Sequence, residues 1–214
     1  YLKIKNPFSL KINSSLARIL ANLVGDCSID LEKIKKENCY DFRYHNTNLN
    51  LITRFIQDIN RIFDIDLVIR IDKSKLGHLP KYYVRIPAII GRLISILFKE
   101  VIDKNSVDIP QELYPDYIGA LFDDEGHCMK SEPKLFISNT NFVVLEDVKN
   151  LLLKLGINSS LEKKQFKLYI RGRENLQKFL EKIPICSIKK KQRLVDILSK
   201  KYTWRNYPIL KRER

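Results

Sequence analysis

The stretch YPDYIGALFDDEGHC, Tyr114–Cys128, sets a helical apolar run directly against three consecutive acids, Asp123, Asp124 and Glu125, and then a glycine. So much negative charge at the end of a buried segment asks for a reason. A second stretch of the chain supplies one. In LARILANLVGDCS, Leu16, Ile19, Leu20, Leu23 and Val24 recur at helical spacing, and Ala17, Ala21 and Gly25 form a stripe of small residues four apart. Aligning the two stretches puts Asp26 at the position of Glu125. Two such helices can pack side by side where only small residues intervene, and their acidic ends then meet.

The alignment extends along the chain. FRYHNTNLNLITRFIQDINRIFDI lies beside LFISNTNFVVLEDVKNLLLKLGI, sharing Asn-Thr-Asn at 46–48 and 139–141, and YYVRI at 82–86 matches LYIRG at 168–172. In the first half the pattern predicts strands over CSIDLEKI, CYDFRYHN, DLVIRID and KYYVRIP, and helices over the motif run, about Leu49–Phe63 and about Ala88–Val101. In the second it predicts a helix over Tyr114–Asp124, strands near His127 and over KLFIS, SSLEKK and FKLYIRG, and helices over Phe142–Leu155 and Glu174–Ile183. Each half reads αββαββα, a duplicated α+β unit with a pseudo-twofold axis. The expected divisions are an N-terminal lead over 1–14, halves over 15–107 and 108–200, and a basic tail over 201–214.

Lysine and arginine number 39 against 25 acids, a net charge of +14 over 214 residues, which points to a polyanionic partner, nucleic acid first. No apolar run approaches the roughly 20 residues of a spanning helix. The first residues interleave lysines with apolar positions, so no signal peptide is expected, and four scattered cysteines without C-x-x-C fit a reducing, intracellular, cytoplasmic setting. The start at Tyr1 rather than Met is that expected of a domain cut from a longer chain.

YIGALFDDEG, preceded by IPQEL at 109–113, resembles the second signature of the LAGLIDADG homing endonucleases, and LARILANLVGDCSI resembles the L-x-x-L-x-G-D-G-S-I form of the first. The resemblance implies a monomer from an intron-borne or freestanding mobile element. Its two parallel motif helices would form the interface between halves and present Asp26 and Glu125 to Mg²⁺ or Mn²⁺. Two saddle-shaped antiparallel sheets would lie along the major groove of double-stranded DNA, and both strands would be hydrolysed. It also implies a lysine beside the scissile phosphate from the run Lys189–Lys191, with Lys190 as the candidate. The DNA-binding candidates are Arg43, Tyr44, His45, Arg70, Lys73, Tyr83 and Arg85 in the first half. In the second half they are Lys134, Lys163, Lys167, Tyr169 and Arg171. Phe166, Leu168 and Ile170 are expected beneath the helices, and Arg85 and Arg171 are expected to be equivalent.

Two positions depart from the family pattern. Cys27 stands where glycine normally follows the first acid, and Asp124 stands where a small residue normally precedes the second, across from Gly25. Asp124 is then a third ligand, or the helix ends a turn early, or the interface has relaxed. Asp123, whose counterpart is Val24, is expected to make a structural hydrogen bond. The alternative function on the same scaffold is a non-cleaving nucleic-acid-binding module, either a transcriptional regulator or an intron maturase acting on RNA.

Overall fold

The computed structural model describes residues 12–37, 39–72, 80–99, 108–129 and 132–200. Lys73, the tail over 201–214 and most of the N-terminal lead lie outside them. The first half runs α1 (Ser14–Val24), β1 (Cys27–Ile29), α2 (Leu31–Glu37), β2 (Phe42–Asn46), α3 (Leu49–Phe63), β3 (Arg70–Asp72), β4 (Lys81–Ile86) and α4 (Ala88–Leu97). The second runs α5 (Tyr114–Glu125), β5 (Gly126–Cys128), β6 (Lys134–Ser138), α6 (Phe142–Lys154), β7 (Ser160–Glu162), β8 (Lys167–Arg171), α7 (Arg173–Lys182) and α8 (Ile188–Ser199). The strands form two four-stranded antiparallel sheets of the same order, β1-β2-β4-β3 and β5-β6-β8-β7. None of the described helices is long and apolar enough to cross a membrane.

The motif helices are the centre of the core. Asn13 caps α1 by accepting from the Leu16 amide at 3.0 Å, and Ser15 to Val24 are all buried. α5 packs along α1 and buries Ile118, Leu121 and Phe122 completely. Beneath these helices each sheet turns one face inward, as strand alternation dictates. Phe42, Tyr44, Val84 and Ile86 fill one half, and Leu135, Ile137, Leu168 and Ile170 the other. Tyr44 stacks on Phe55 of α3 at 4.5 Å between ring centroids.

Close approach explains two glycines. A Cβ on Gly25 would lie 3.1 Å from an Asp124 carboxylate oxygen, so this gap in α1 admits the acid of α5. A Cβ on Gly119 would come within 2.5 Å of the Pro184 carbonyl, so this glycine of α5 makes room for the chain entering α8.

Four sequence expectations are corrected. CSIDLEKI is a strand only to Ile29, because its remainder is rich in helix formers, and Glu32 pairs with Lys36 at 2.7 Å one turn on. The predicted helices end at Ile183, but the basic run after Ser187 forms a further one, α8, anchored by buried Leu194, Ile197 and Leu198 at helical spacing. Phe166 does not pack beneath the helices; it ends a short 3₁₀ turn (Lys163–Gln165) in the left-handed region, φ 51°, and is 47% exposed. Finally, Arg85 pairs with Arg43, whereas Tyr169 pairs with Phe136 at the corresponding place in the other sheet, so Arg85 matches Tyr169 and not Arg171. That shift is two residues, an even number, which keeps every side chain on its expected face.

Candidate nucleic-acid interface and paired acid pockets

The open face of the first sheet carries Arg43, His45, Arg70, Tyr83 and Arg85. Strand register sets Arg43 opposite Arg85, and Tyr83 between His45 and Arg70. The His45 and Tyr83 rings stack at 5.4 Å. Burial, followed by Lys81 and Arg43, holds the His45 imidazole below its ordinary pKa. The second sheet turns Lys134, Lys167 and Arg171 to the same side, each over an aromatic ring: Lys134 and Arg171 over Tyr169 at 5.2 and 4.4 Å, Lys167 over Phe136 at 4.8 Å. Tyr169 is 7% exposed, with its hydroxyl donating to Gln165. It therefore supports the cations, and the contact surface belongs to its neighbours. Lys163 sits off the strands, 4.8 Å over the Phe142 ring.

Between the sheets, the two motif acids open into different cavities. Asp26 lines one of about 860 Å³ with Asn46, Thr47, Lys81, Asp124, Lys190 and Arg193. Glu125 lines one of about 340 Å³ with Gly25, Ser138, Asn139, Thr140 and Gln165. Each cavity thus combines the acid and the Asn-Thr-Asn turn of one half with the end of the other half's motif helix. The turn is built identically twice. Asn46 Oδ1 accepts from the Asn48 amide at 2.9 Å and Asn139 Oδ1 from the Asn141 amide at 2.8 Å, while Asn48 and Asn141 cap α3 and α6. With its oxygen so used, Asn46 directs Nδ2 to Asp26 at 3.0 Å and to Asp124 at 3.4 Å.

Asp124 is held inside this cluster. Its carboxylate accepts from Asn22 at 2.8 Å and from the Tyr44 hydroxyl at 2.6 Å. Burial, and then the charge of Asp26, raise its pKa well above the usual carboxylate range. Burial likewise raises Asp26, against the opposing pull of Lys190, Lys81 and Asn46. α5 continues through Asp124 to Glu125, so the helix does not end early. Asp123 accepts the Cys186 and Ser187 amides at 2.8 and 2.9 Å, the structural role its lack of a counterpart suggested. Lys190 Nζ donates to the carbonyls of Phe122, Asp123 and Asp124 at 2.9, 2.6 and 3.3 Å. It thereby caps the negative end of the α5 dipole. Burial lowers its pKa in spite of the three nearby acids.

The raised Asp26–Asp124 pair gives a pH prediction. A carboxyl whose folded pKa exceeds its unfolded value, ordinarily about 3.9, makes the native state bind more protons than the unfolded state over the interval between the two. Stability therefore falls as pH rises through that interval. Asp124→Asn should flatten this fall in melts recorded upward from about pH 4, and an unchanged pH profile would refute the assignment.

Sequence reasoning missed Asn46, whose signal was visible but read only as a marker of the repeat. It set Tyr44 on the DNA side, whereas strand alternation turns Tyr44 inward, fully buried, to Asp124. It also missed Asn22 and Lys81, and a buried arginine on α1. Arg18 donates to both Asp58 oxygens of α3 at 2.8 and 2.7 Å and to Asp116 of α5 at 2.5 Å. Burial opposes its charge, but Asp58 and then Asp116 outweigh this and raise its pKa.

Two sheets flanking a pair of acid-tipped helices define the LAGLIDADG architecture. Residues 112–184 match the LAGLIDADG-like domain family, and the chain as a whole has the LAGLIDADG fold. Full-length DUF199/WhiA from Thermatoga maritima superposes with a TM-score of 0.59 at 14% identity, covering 94% of this chain and 66% of that one. The homing endonuclease I-WcaI bound to its DNA recognition sequence gives 0.58 at 16%, covering 88% and 94%. I-DmoI in complex with DNA and Ca gives 0.56 at 18%, covering 79% and 88%. Among curated proteins, one named Probable translation initiation factor IF-2, from Thermococcus kodakarensis, is 29% identical over 128 residues. Those residues are 55% of this chain and 11% of that protein, so the match spans about a tenth of the relative's length.

Proposed function

We propose that the chain is a site-specific DNA endonuclease whose sheets hold a duplex while Asp26 and Glu125 each direct a divalent ion to one strand. The observation that carries this reading is the pair of cavities, each opening on one motif acid. The donor set fits a hard ion. Among the described residues no three His, Cys, Asp or Glu side chains gather as a cage. The acid-bearing cavities instead offer carboxylate and hydroxyl oxygens, Asp26 with Thr47 and Glu125 with Thr140, hard donors that suit Mg²⁺ when substrate phosphate and water complete its shell. Such an ion, when bound, polarises the phosphodiester and lowers the pKa of a water.

The chain's own residues prepare the site. Asn46 steadies the Asp26 carboxylate, Lys190 fixes the end of α5, and the basic open faces carry the backbone electrostatics of binding. The fold shared with I-WcaI and I-DmoI, described with DNA, supports a duplex substrate. A non-cleaving nucleic-acid-binding module on the same scaffold is the second reading. It is favoured by the closed hydrogen-bond network around Asp124. A pooled library of randomised duplexes incubated with the protein should yield cut ends in Mg²⁺ and none in EDTA, while gel-shift binding survives EDTA. Binding without cut ends in Mg²⁺ or Mn²⁺ would establish the second reading instead.

A further inference from the structure

Near-buried Asp41, immediately before β2, ties together the two central arginines of the first sheet. Its Oδ1 accepts from Arg43 Nε at 3.2 Å and from Arg85 Nε at 2.7 Å, and its Oδ2 accepts from Arg43 Nη2. Asp41 is 8% exposed, the two arginine side chains 42% and 50%. The Arg43 guanidinium in turn holds the Asp41 carboxyl below its ordinary pKa. Among the described residues nothing engages Nη1 of Arg43 or either terminal nitrogen of Arg85 by a hydrogen bond. Each guanidinium thus presents its outer edge from the middle strands of the sheet, β2 and β4.

We infer that Asp41 is a positioning residue that aims Arg43 and Arg85 at guanines in the first half-site. This rests on the duplex-binding reading above. Three observations separate it from simple phosphate contact. The arginines lie side by side on the central strands of the sheet rather than at its edges. Their side chains are fixed before binding, which a fork-shaped contact to guanine O6 and N7 requires and a diffuse attraction to phosphate does not. A carboxylate behind the pair also weakens its pull on a phosphate while leaving its donors intact. The equivalent positions of the second sheet hold Lys134, Phe136 and Tyr169, a basic and aromatic set without a carboxylate. The guanine requirement therefore belongs to one half-site alone.

The test is selection of randomised duplexes by the full chain in EDTA, comparing wild type with Arg43→Lys, Arg85→Lys and Asp41→Asn. Wild type should enrich guanine at two positions of one half-site. Each lysine variant, altered at an exposed side chain, should lose that preference at one position by about 5- to 150-fold, and Asp41→Asn should lose it at both. If the lysine variants weaken all sequences equally, the arginines contact phosphates and the inference fails while duplex binding stands. If wild type binds no duplex, both readings fall together.

Discussion

Asp26→Asn and Glu125→Gln should each abolish cleavage at one strand while leaving duplex affinity nearly intact. Each substitution keeps the side chain's shape and removes the charge that holds the ion. The ion's stabilisation of charge in phosphoryl chemistry amounts to several kcal/mol, so the affected strand should be cut at least about a hundredfold more slowly. The two variants should nick opposite strands, because the acids line separate cavities. Denaturing gels with each strand labelled distinguish the outcomes. Equal cutting by the double variant and the wild type would remove both acids from the chemistry.

Arg18→Met should be the most destabilising of the substitutions considered. Arg18 and Asp58 are 8% and 1% exposed, and Asp116 is 19% exposed. Methionine fills much of the arginine's volume but leaves two carboxylates facing the place of a lost cation. Breaking a buried ion pair in this way costs about 3–5 kcal/mol, or roughly 6–20 °C of Tm for a chain of this size. Combining it with Asp58→Leu and Asp116→Leu should restore part of that loss, since apolar groups then replace the cluster while Arg54, 3.5 Å from Asp58, loses its partner. A single-variant loss below about 1 kcal/mol would show that water reaches the cluster. Because Arg18 bridges α1 and α5, its loss should also loosen the placement of Asp26 against Asp124.

The fold was legible because duplication wrote its pattern twice: two helical runs with acids at matched ends, and strands alternating at period two. Where reading failed, the cause was local. α8 was hidden because its lysines dominate a segment anchored by only three buried apolar residues. Phe166 escaped because its positive φ breaks the alternation one residue before β8. At the candidate site the acids were visible as charges in apolar surroundings, but their partners were not. Asn22 and Asn46 are ordinary residues in isolation, and Lys190 was pointed to by the resemblance alone; only the packing of α1, β2 and α8 brings these side chains to Asp124, Asp26 and the end of α5. Asp41 is likewise one acid among 25; its meaning comes from the register that sets Arg43 against Arg85.

The Lys190 cap has a consequence for how the molecule is made. Asp26 directly follows α1, the earliest of the described helices in chain order, whereas the ammonium that secures α5 arrives on α8, the last of them. Synthesis proceeds at about 5–20 residues per second and domains tend to fold in that order. The end of α5 thus waits for α8 to be made before it is locked. A product ended before α8 lacks that lock, so the candidate site depends on elements from both halves having been synthesised.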